Sequence, residues 1–190
     1  PNVMSAVTTP FMTKMMATNL ELYQAGEGVT ASGVFYTAGS KYSIIANPFA
    51  SGWFSSTGSG ITMGLIVAIM LFSKRDDFKA IAKLAIPCGL FNINEPIIFG
   101  IPMVMNAMFA VPFFLAPVAC VCCGYLVQSL GLCPLFVIDV PWTTPVGLFG
   151  FLASSGNIMG AIWQVVIIVG VSTLIYTPFV IAANRQETAA

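Results

Sequence analysis

Asn92-Ile93-Asn94-Glu95-Pro96 places two carboxamides and a carboxylate inside a long apolar stretch, and Glu95 is the one charged residue between Lys83 and Asp139. An acid at the centre of a bilayer costs about 2.5–3.5 kcal/mol on insertion scales, so such residues are rare and face a cavity or a pathway. An ionised carboxylate accepts strong hydrogen bonds but has no donor, whereas asparagine supplies both. With an aromatic ring beside them, these groups make a site for a polyhydroxyl compound. Glu95, Asn92 and Asn94 would hold hydroxyls, and Trp142, with Thr143 next to it, would lie against the apolar face of a pyranose. The plainer alternatives stay open at this point: the two asparagines cap a turn, and Trp142 anchors the chain at a membrane interface. Asp139 is a weaker candidate, because its place in the pattern also suits an interface.

The elements that must position these residues follow from where the apolar pattern breaks. Pro87, Pro96 and Pro102 interrupt residues 80–106. Each proline removes a backbone donor and biases the preceding residue away from helix. Broken backbone at membrane depth survives only where protein or a wet cavity satisfies it, so a re-entrant hairpin with its tip near Asn92–Glu95 is expected over 80–106. Residues 135–153 repeat the pattern around Asp139, Pro141, Trp142, Thr143, Thr144 and Pro145, which predicts a second re-entrant hairpin. Proline favours the first helical position, so helices are expected to start at Pro96, capped by Glu95, and at Pro145, capped by Thr144. The two N-termini would then point into one cavity. Full spans are expected from Gly58 to Phe72 (about 20 residues when counted from Trp53), from Phe109 to Leu130 and from Gly160 to Ala183. Gly58-Ser59-Gly60 reads as a place where helices approach closely. Residues 1–25 read as a helix with a polar face toward protein, and residues 26–50, with Gly26, Gly28, Gly33 and Gly39, as a small extramembrane β-hairpin.

Composition agrees with a membrane setting. The chain is 57% hydrophobic and 7% charged, with a mean hydropathy of +0.90, whereas soluble domains carry about 25% charged residues. Four of the seven basic residues, Lys74, Arg75, Lys79 and Lys83, fall in or just after one short loop, which the positive-inside rule places in the cytoplasm, with the tail around Arg185 on the same side. Zero net charge gives nucleic-acid binding no support. The chain has no histidine, which removes Ser-His-Asp and Cys-His catalysis, and it has no phosphate-binding glycine loop. Cys88, Cys120, Cys122, Cys123 and Cys133 match no zinc spacing and read as small packed residues, so neither metal nor cofactor is expected. Pro1 is not a translation start and no signal pattern follows it, so the chain is expected to belong to a longer protein. The expected fold class is an all-α integral membrane transport domain, 1–190 forming part of one unit, with about three full spans, two re-entrant hairpins and a small extramembrane β-hairpin.

Gly89-Leu90-Phe91-Asn92-Ile93-Asn94-Glu95-Pro96-Ile97-Ile98-Phe99-Gly100 resembles the signature of enzyme IIC, the membrane permease of the lactose/cellobiose class of bacterial phosphoenolpyruvate-dependent sugar phosphotransferase systems. The resemblance extends through Pro112-Phe113-Phe114-Leu115-Ala116-Pro117 and Val140-Pro141-Trp142-Thr143-Thr144-Pro145, and covers most of Trp53 to Gln186. It implies a multi-pass permease of the bacterial cytoplasmic membrane, homodimeric through a scaffold domain that precedes this segment. A sugar-carrying domain would move in an elevator-like shift. The substrate would be a β-linked disaccharide of the cellobiose or chitobiose type, phosphorylated on the cytoplasmic side by the phosphocysteine of a separate enzyme IIB. By position, the resemblance implies that Glu95 contacts sugar hydroxyls and that Trp142 lies near the sugar; Glu95 is also the candidate for a base toward the hydroxyl being phosphorylated. The family also carries a substrate-contacting histidine just before the region where this chain begins, and this chain has none. The alternatives are a proton-coupled secondary sugar transporter, with Glu95 carrying the proton, a sugar-binding membrane sensor, and an intramembrane enzyme, which the absence of histidine opposes.

Overall fold

Among the described residues, two helices are long and apolar enough to cross a bilayer, Met108–Ser129 and Ile158–Asn184, and only 28% of the apolar window of each is buried. A core helix of a water-soluble protein would be covered. Here Val111, Phe114, Val118, Leu126, Ile162 and Leu174 remain exposed along them, which suits contact with lipid or with further protein. The computed structural model describes residues 3–30, 33–101, 103 and 107–188.

The element order is α1 (Val3–Gln24), β1 (Val29–Thr30), β2 (Gly33–Val34), α2 (Asn47–Trp53), α3 (Met63–Phe72), α4 (Asp76–Leu90), α5 (Glu95–Gly100), α6 (Ala107–Ser129), α7 (Leu148–Ala153), α8 (Ile158–Val165), a π-helical segment (Val166–Val171) and α9 (Ser172–Thr188). Helix dominates, as expected. The β-hairpin over 26–50 shrinks to four residues, Val29 opposite Val34 and Thr30 opposite Gly33. What shapes the rest of that stretch is side-chain bonding: the Asn19 Nδ2 donates to the Ser43 carbonyl at 2.7 Å, its Oδ1 accepts from the Ser43 N–H at 2.9 Å, and the Tyr42 hydroxyl donates to the Glu27 carbonyl at 2.7 Å.

The expected span from Trp53 to Phe72 is not one helix. It is helical to Trp53 and again from Met63, and α3 has 10 residues, about 15 Å at 1.5 Å per residue, half a bilayer core. Between them Thr57, Gly58, Gly60 and Ile61 take φ values of 60°, 77°, 81° and 50°. β-branched residues rarely adopt this left-handed region, and both are held there by full burial. Thr57 is also bonded on both sides, its N–H donating to Asn92 Oδ1 and its carbonyl accepting from the Thr62 hydroxyl. Gly58-Ser59-Gly60 is therefore a structured loop, and its two glycines admit the N-cap of α5 and the Phe113 ring of α6 at close range. Hydropathy reports burial, and a buried loop and a buried helix look alike to it.

Two apolar clusters organise the chain. One joins α3, α4, α5, the first half of α6 and α9, around Leu65, Ile69, Ile97, Phe109 and Tyr176. The other joins α2, the 34–44 and 133–140 segments, α7 and the second half of α6, around Trp53, Phe136 and Phe149. α3 and α9 meet at Gly64, where a Cβ would lie 2.0 Å from the Ser172 hydroxyl and 2.5 Å from the Thr173 nitrogen. The α3–α4 junction is closed by Asn184, whose Nδ2 donates to the Phe72 carbonyl at 2.9 Å and whose Oδ1 accepts from the Lys74 N–H at 3.0 Å. In the same basic loop the Arg75 guanidinium lies 3.9 Å from the Phe78 ring centroid and bonds Asp77, holding that carboxyl below its ordinary range.

Within 80–106, α4 and α5 make a helix–turn–helix joined at Phe91–Asn94 and ending at Gly100; residues 102 and 104–106 lie outside the described residues. Residues 135–140 have no regular secondary structure; the Val137 and Ile138 N–H groups both donate to the Ala153 carbonyl, and the chain then turns at Pro141–Thr144. The helix expected from Pro145 begins at Leu148, with Gly147 (φ 88°) rather than Thr144 at its N-cap. That left-handed backbone stops a helix from propagating through Val146.

Candidate functional site

The hairpin tip is built around Asn92. After α4 the Asn92 N–H donates to the Gly89 carbonyl and the Ile93 N–H to the Cys88 carbonyl. These are the two bonds of a Schellman stop, whose left-handed residue is usually glycine and sometimes asparagine. Asn92 takes it at φ 63° and uses its side chain as well. Oδ1 accepts from the Thr57 N–H at 2.8 Å, while Nδ2 donates to the Trp142 carbonyl and, at 2.9 Å, to the Thr144 carbonyl. One buried carboxamide thus ties three separate segments together.

Asn94 follows, buried, at the N-cap of α5, and its Nδ2 donates to the Ser59 carbonyl at 2.6 Å. Gly58 is what lets it approach, since a Cβ there would sit 2.5 Å from Asn94 Cγ. Glu95 occupies the first turn of α5 beside Pro96, one place past the cap expected for it. It is exposed on the wall of a cleft rather than enclosed in protein. A carboxylate in the first helical turn is electrostatically favoured.

That cleft has a volume of about 630 Å³, within the range of small-molecule sites. Asn92, Asn94, Glu95 and Trp142 line it, with Ser51 from α2, Ser55 and Ser59 from the loop after α2, and Phe54, Phe113 and Phe114 as an apolar wall. Glu95 is the one charged residue among its lining residues. The indole of Trp142 is 64% exposed, so its face is open to a ligand. Thr143, on the same turn, is exposed but does not line the cleft. The three serines were not foreseen, although their four-residue spacing was a readable signal. The N-terminus of α7 does not open into the cleft: the Gly147 and Gly150 N–H groups donate to Gln164 Oε1 at 2.9 and 2.7 Å. Gln164, fully buried, in turn donates through Nε2 to the Gly52 carbonyl and the Ser56 hydroxyl, both at 3.2 Å. One glutamine therefore joins the second break to the serine-bearing loop.

Replacing Asn92 by alanine removes all three ties and places a Cβ-bearing residue without asparagine's tolerance in the left-handed region. The expected loss is about 2–4 kcal/mol of stability, read by thermal unfolding of the full-length parent in detergent. Asn92→Asp keeps an acceptor for Thr57 but turns a carboxylate oxygen toward two carbonyls, so it is expected to be no better than alanine.

The chain thus combines a buried polar clasp, a cleft with one acid and an exposed indole, and long apolar helices with exposed faces. The chain belongs to the phosphotransferase system EIIC family, whose model matches residues 1–117. It is 41% identical over 138 residues to the PTS system cellobiose-specific EIIC component of Lactococcus lactis subsp. lactis (strain IL1403), covering 73% of this chain and 27% of that one. It is 35% identical over 187 residues to the lichenan permease IIC component of Bacillus subtilis (strain 168), covering 98% of this chain and 38% of that one. Its fold matches the crystal structure of the transporter ChbC, the IIC component from the N,N'-diacetylchitobiose-specific phosphotransferase system. That match has a TM-score of 0.83 and 32% identity, over 97% of this chain and 40% of ChbC. The chain thus spans well under half the length of these relatives.

Proposed function

We propose that this chain carries the sugar-holding part of a phosphotransferase permease that binds a β-linked disaccharide of the cellobiose or chitobiose type and presents it for phosphorylation by enzyme IIB. The observation that carries the reading is the cleft itself: a single carboxylate, carboxamide and serine groups, and an open indole around about 630 Å³. This set suits a neutral polyhydroxyl ring, whose hydroxyls need acceptors and whose C–H face needs an apolar plate. Glu95 is the acceptor and the base toward the reacting hydroxyl; Trp142 supplies the plate. Asn92 donates to two backbone carbonyls and Asn94 to one, so in this reading they hold the tip and leave Glu95 placed. Thr143 contributes, in this reading, only when a ligand reaches the adjacent turn. The α4–α5 and 135–153 segments act as the two re-entrant hairpins of a multi-pass protein in the bacterial cytoplasmic membrane. Dimerisation and the fixed point for an elevator-like shift belong to parts of the permease outside this segment. Relatives that include lactose-specific EIICB components fit a IIB partner that is either separate or fused.

The test is uptake by the full-length parent in vesicles, with cellobiose, chitobiose and lactose compared in the presence and absence of phosphorylated IIB. Sugar phosphate is expected to accumulate only with IIB, and one disaccharide should lead. Free sugar accumulating without IIB under a proton gradient would overturn the reading in favour of a proton-coupled transporter.

A further inference from the structure

A second cleft, of about 450 Å³, lies against the first and is lined by Asn47, Ser51, Asp139, Val140, Pro141 and Trp142. Ser51 and Trp142 line both clefts, so the two are adjacent compartments with those residues between them. Asp139 is exposed, and its side chain's one hydrogen bond among the described residues, from Asn47 Nδ2 to Oδ2, is long at 3.4 Å. A carboxylate has room for about four hydrogen bonds, so most of its acceptor capacity faces whatever enters the cleft. Its backbone is nonetheless fixed. The preceding Val137 and Ile138 N–H groups are bonded to the Ala153 carbonyl, and the following turn is closed from the Thr144 N–H to the Pro141 carbonyl. An exposed acid on anchored backbone, three residues from an open indole and beside the half-buried amide of Asn47, forms a preorganised site.

We infer that Asp139 and Asn47 form an outer subsite that takes the second ring of the disaccharide, with Trp142 spanned by the linkage. This rests on the reading of the first cleft as the sugar site and extends it. Asp139 accepts hydroxyls of the outer ring, Asn47 donates to one, and the ring bound at Glu95 is the one phosphorylated. The subsite selects for chain length: a monosaccharide fills only the Glu95 cleft, whereas a β-linked pair engages both acids.

Calorimetric titration of the full-length parent without IIB tests this, with cellobiose titrated directly and methyl β-glucoside measured by displacement of cellobiose. Asp139→Ala is expected to weaken cellobiose about tenfold or more, the worth of a hydrogen bond to a charged group, and to leave methyl β-glucoside unchanged. Asp139→Asn, which retains one acceptor, should fall between. Because Asp139 is exposed, these variants are not expected to disturb folding, and equal unfolding temperatures check that. Unchanged cellobiose affinity, or an equal loss for both ligands, would overturn the subsite. In the same titrations Glu95→Gln should weaken both ligands alike. If it weakens neither, the reading of the first cleft fails, an outcome separate from any result at Asp139.

Discussion

Replacing Gln164 by leucine is expected to destabilise the full-length parent by about 3 kcal/mol or more, as two buried N–H groups lose their acceptor at about 1–3 kcal/mol each. Leucine has nearly the same volume, so the loss is one of hydrogen bonding rather than packing. The orphaned groups are the Gly147 and Gly150 N–H at the start of α7, and the Gly52 carbonyl and Ser56 hydroxyl lose their donor from the other end of the amide. Ser56 still donates to the Gly52 carbonyl at 2.7 Å, so the larger penalty falls on α7. Gln164→Glu separates the halves: it keeps an acceptor for the two N–H groups but sets an oxygen against the Gly52 carbonyl, and it is expected to lie between wild type and leucine. Thermal unfolding in detergent reads all three. A leucine variant as stable as wild type would show that the α7 terminus is satisfied in another way. Sugar affinity should fall along with stability, because the Ser51–Ser59 stretch is held to the second break through this one side chain.

How much of this was legible beforehand depends on what each residue's signal measures. The Asn92–Pro96 tip stood out because polar groups are costly in an apolar run, and the structure places Asn92, Asn94, Glu95 and Trp142 around one cleft. The two long apolar helices were readable for the same reason, since length and hydropathy are what define them. The Thr57–Ile61 loop was not. Thr57, Gly60 and Ile61 are buried in it, and its shape comes from a left-handed backbone tied at Thr57 by Asn92, 35 positions away. The start of α7 was missed similarly: Pro145 favours a helix start, but Gly147 overrides it and the capping acceptor, Gln164, comes 17 residues later. Local propensity cannot register a partner that arrives from another helix. The same long-range bonding gives Asn92 and Asn94, candidate ligands in the sequence alongside Glu95, a second part as ties between segments while they line the cleft.

Glu95→Gln is expected to produce the largest functional change, and its two roles predict different magnitudes. As an acceptor of sugar hydroxyls, a carboxylate contributes about 1.5–3 kcal/mol over no bond, so the neutral amide should weaken disaccharide binding about tenfold or somewhat more, with no IIB present. As a base toward the reacting hydroxyl, its removal should cost a further factor of about 10²–10⁴ in phosphoryl transfer. Glutamine matches glutamate in shape, and Glu95 is exposed on the cleft wall, so folding should be unaffected. The measurement is single-turnover phosphorylation of bound sugar by phosphorylated IIB, alongside binding without it. A loss in turnover well beyond the loss in affinity assigns proton removal to Glu95. Equal losses in both leave it as a binding group, and the proton then passes to the attacked phosphoryl group or to water. Glu95→Asp sharpens the distinction, because it keeps the charge and withdraws it by one methylene. Binding should recover in part, while turnover, which needs the oxygen within hydrogen-bond reach of the hydroxyl, should recover less.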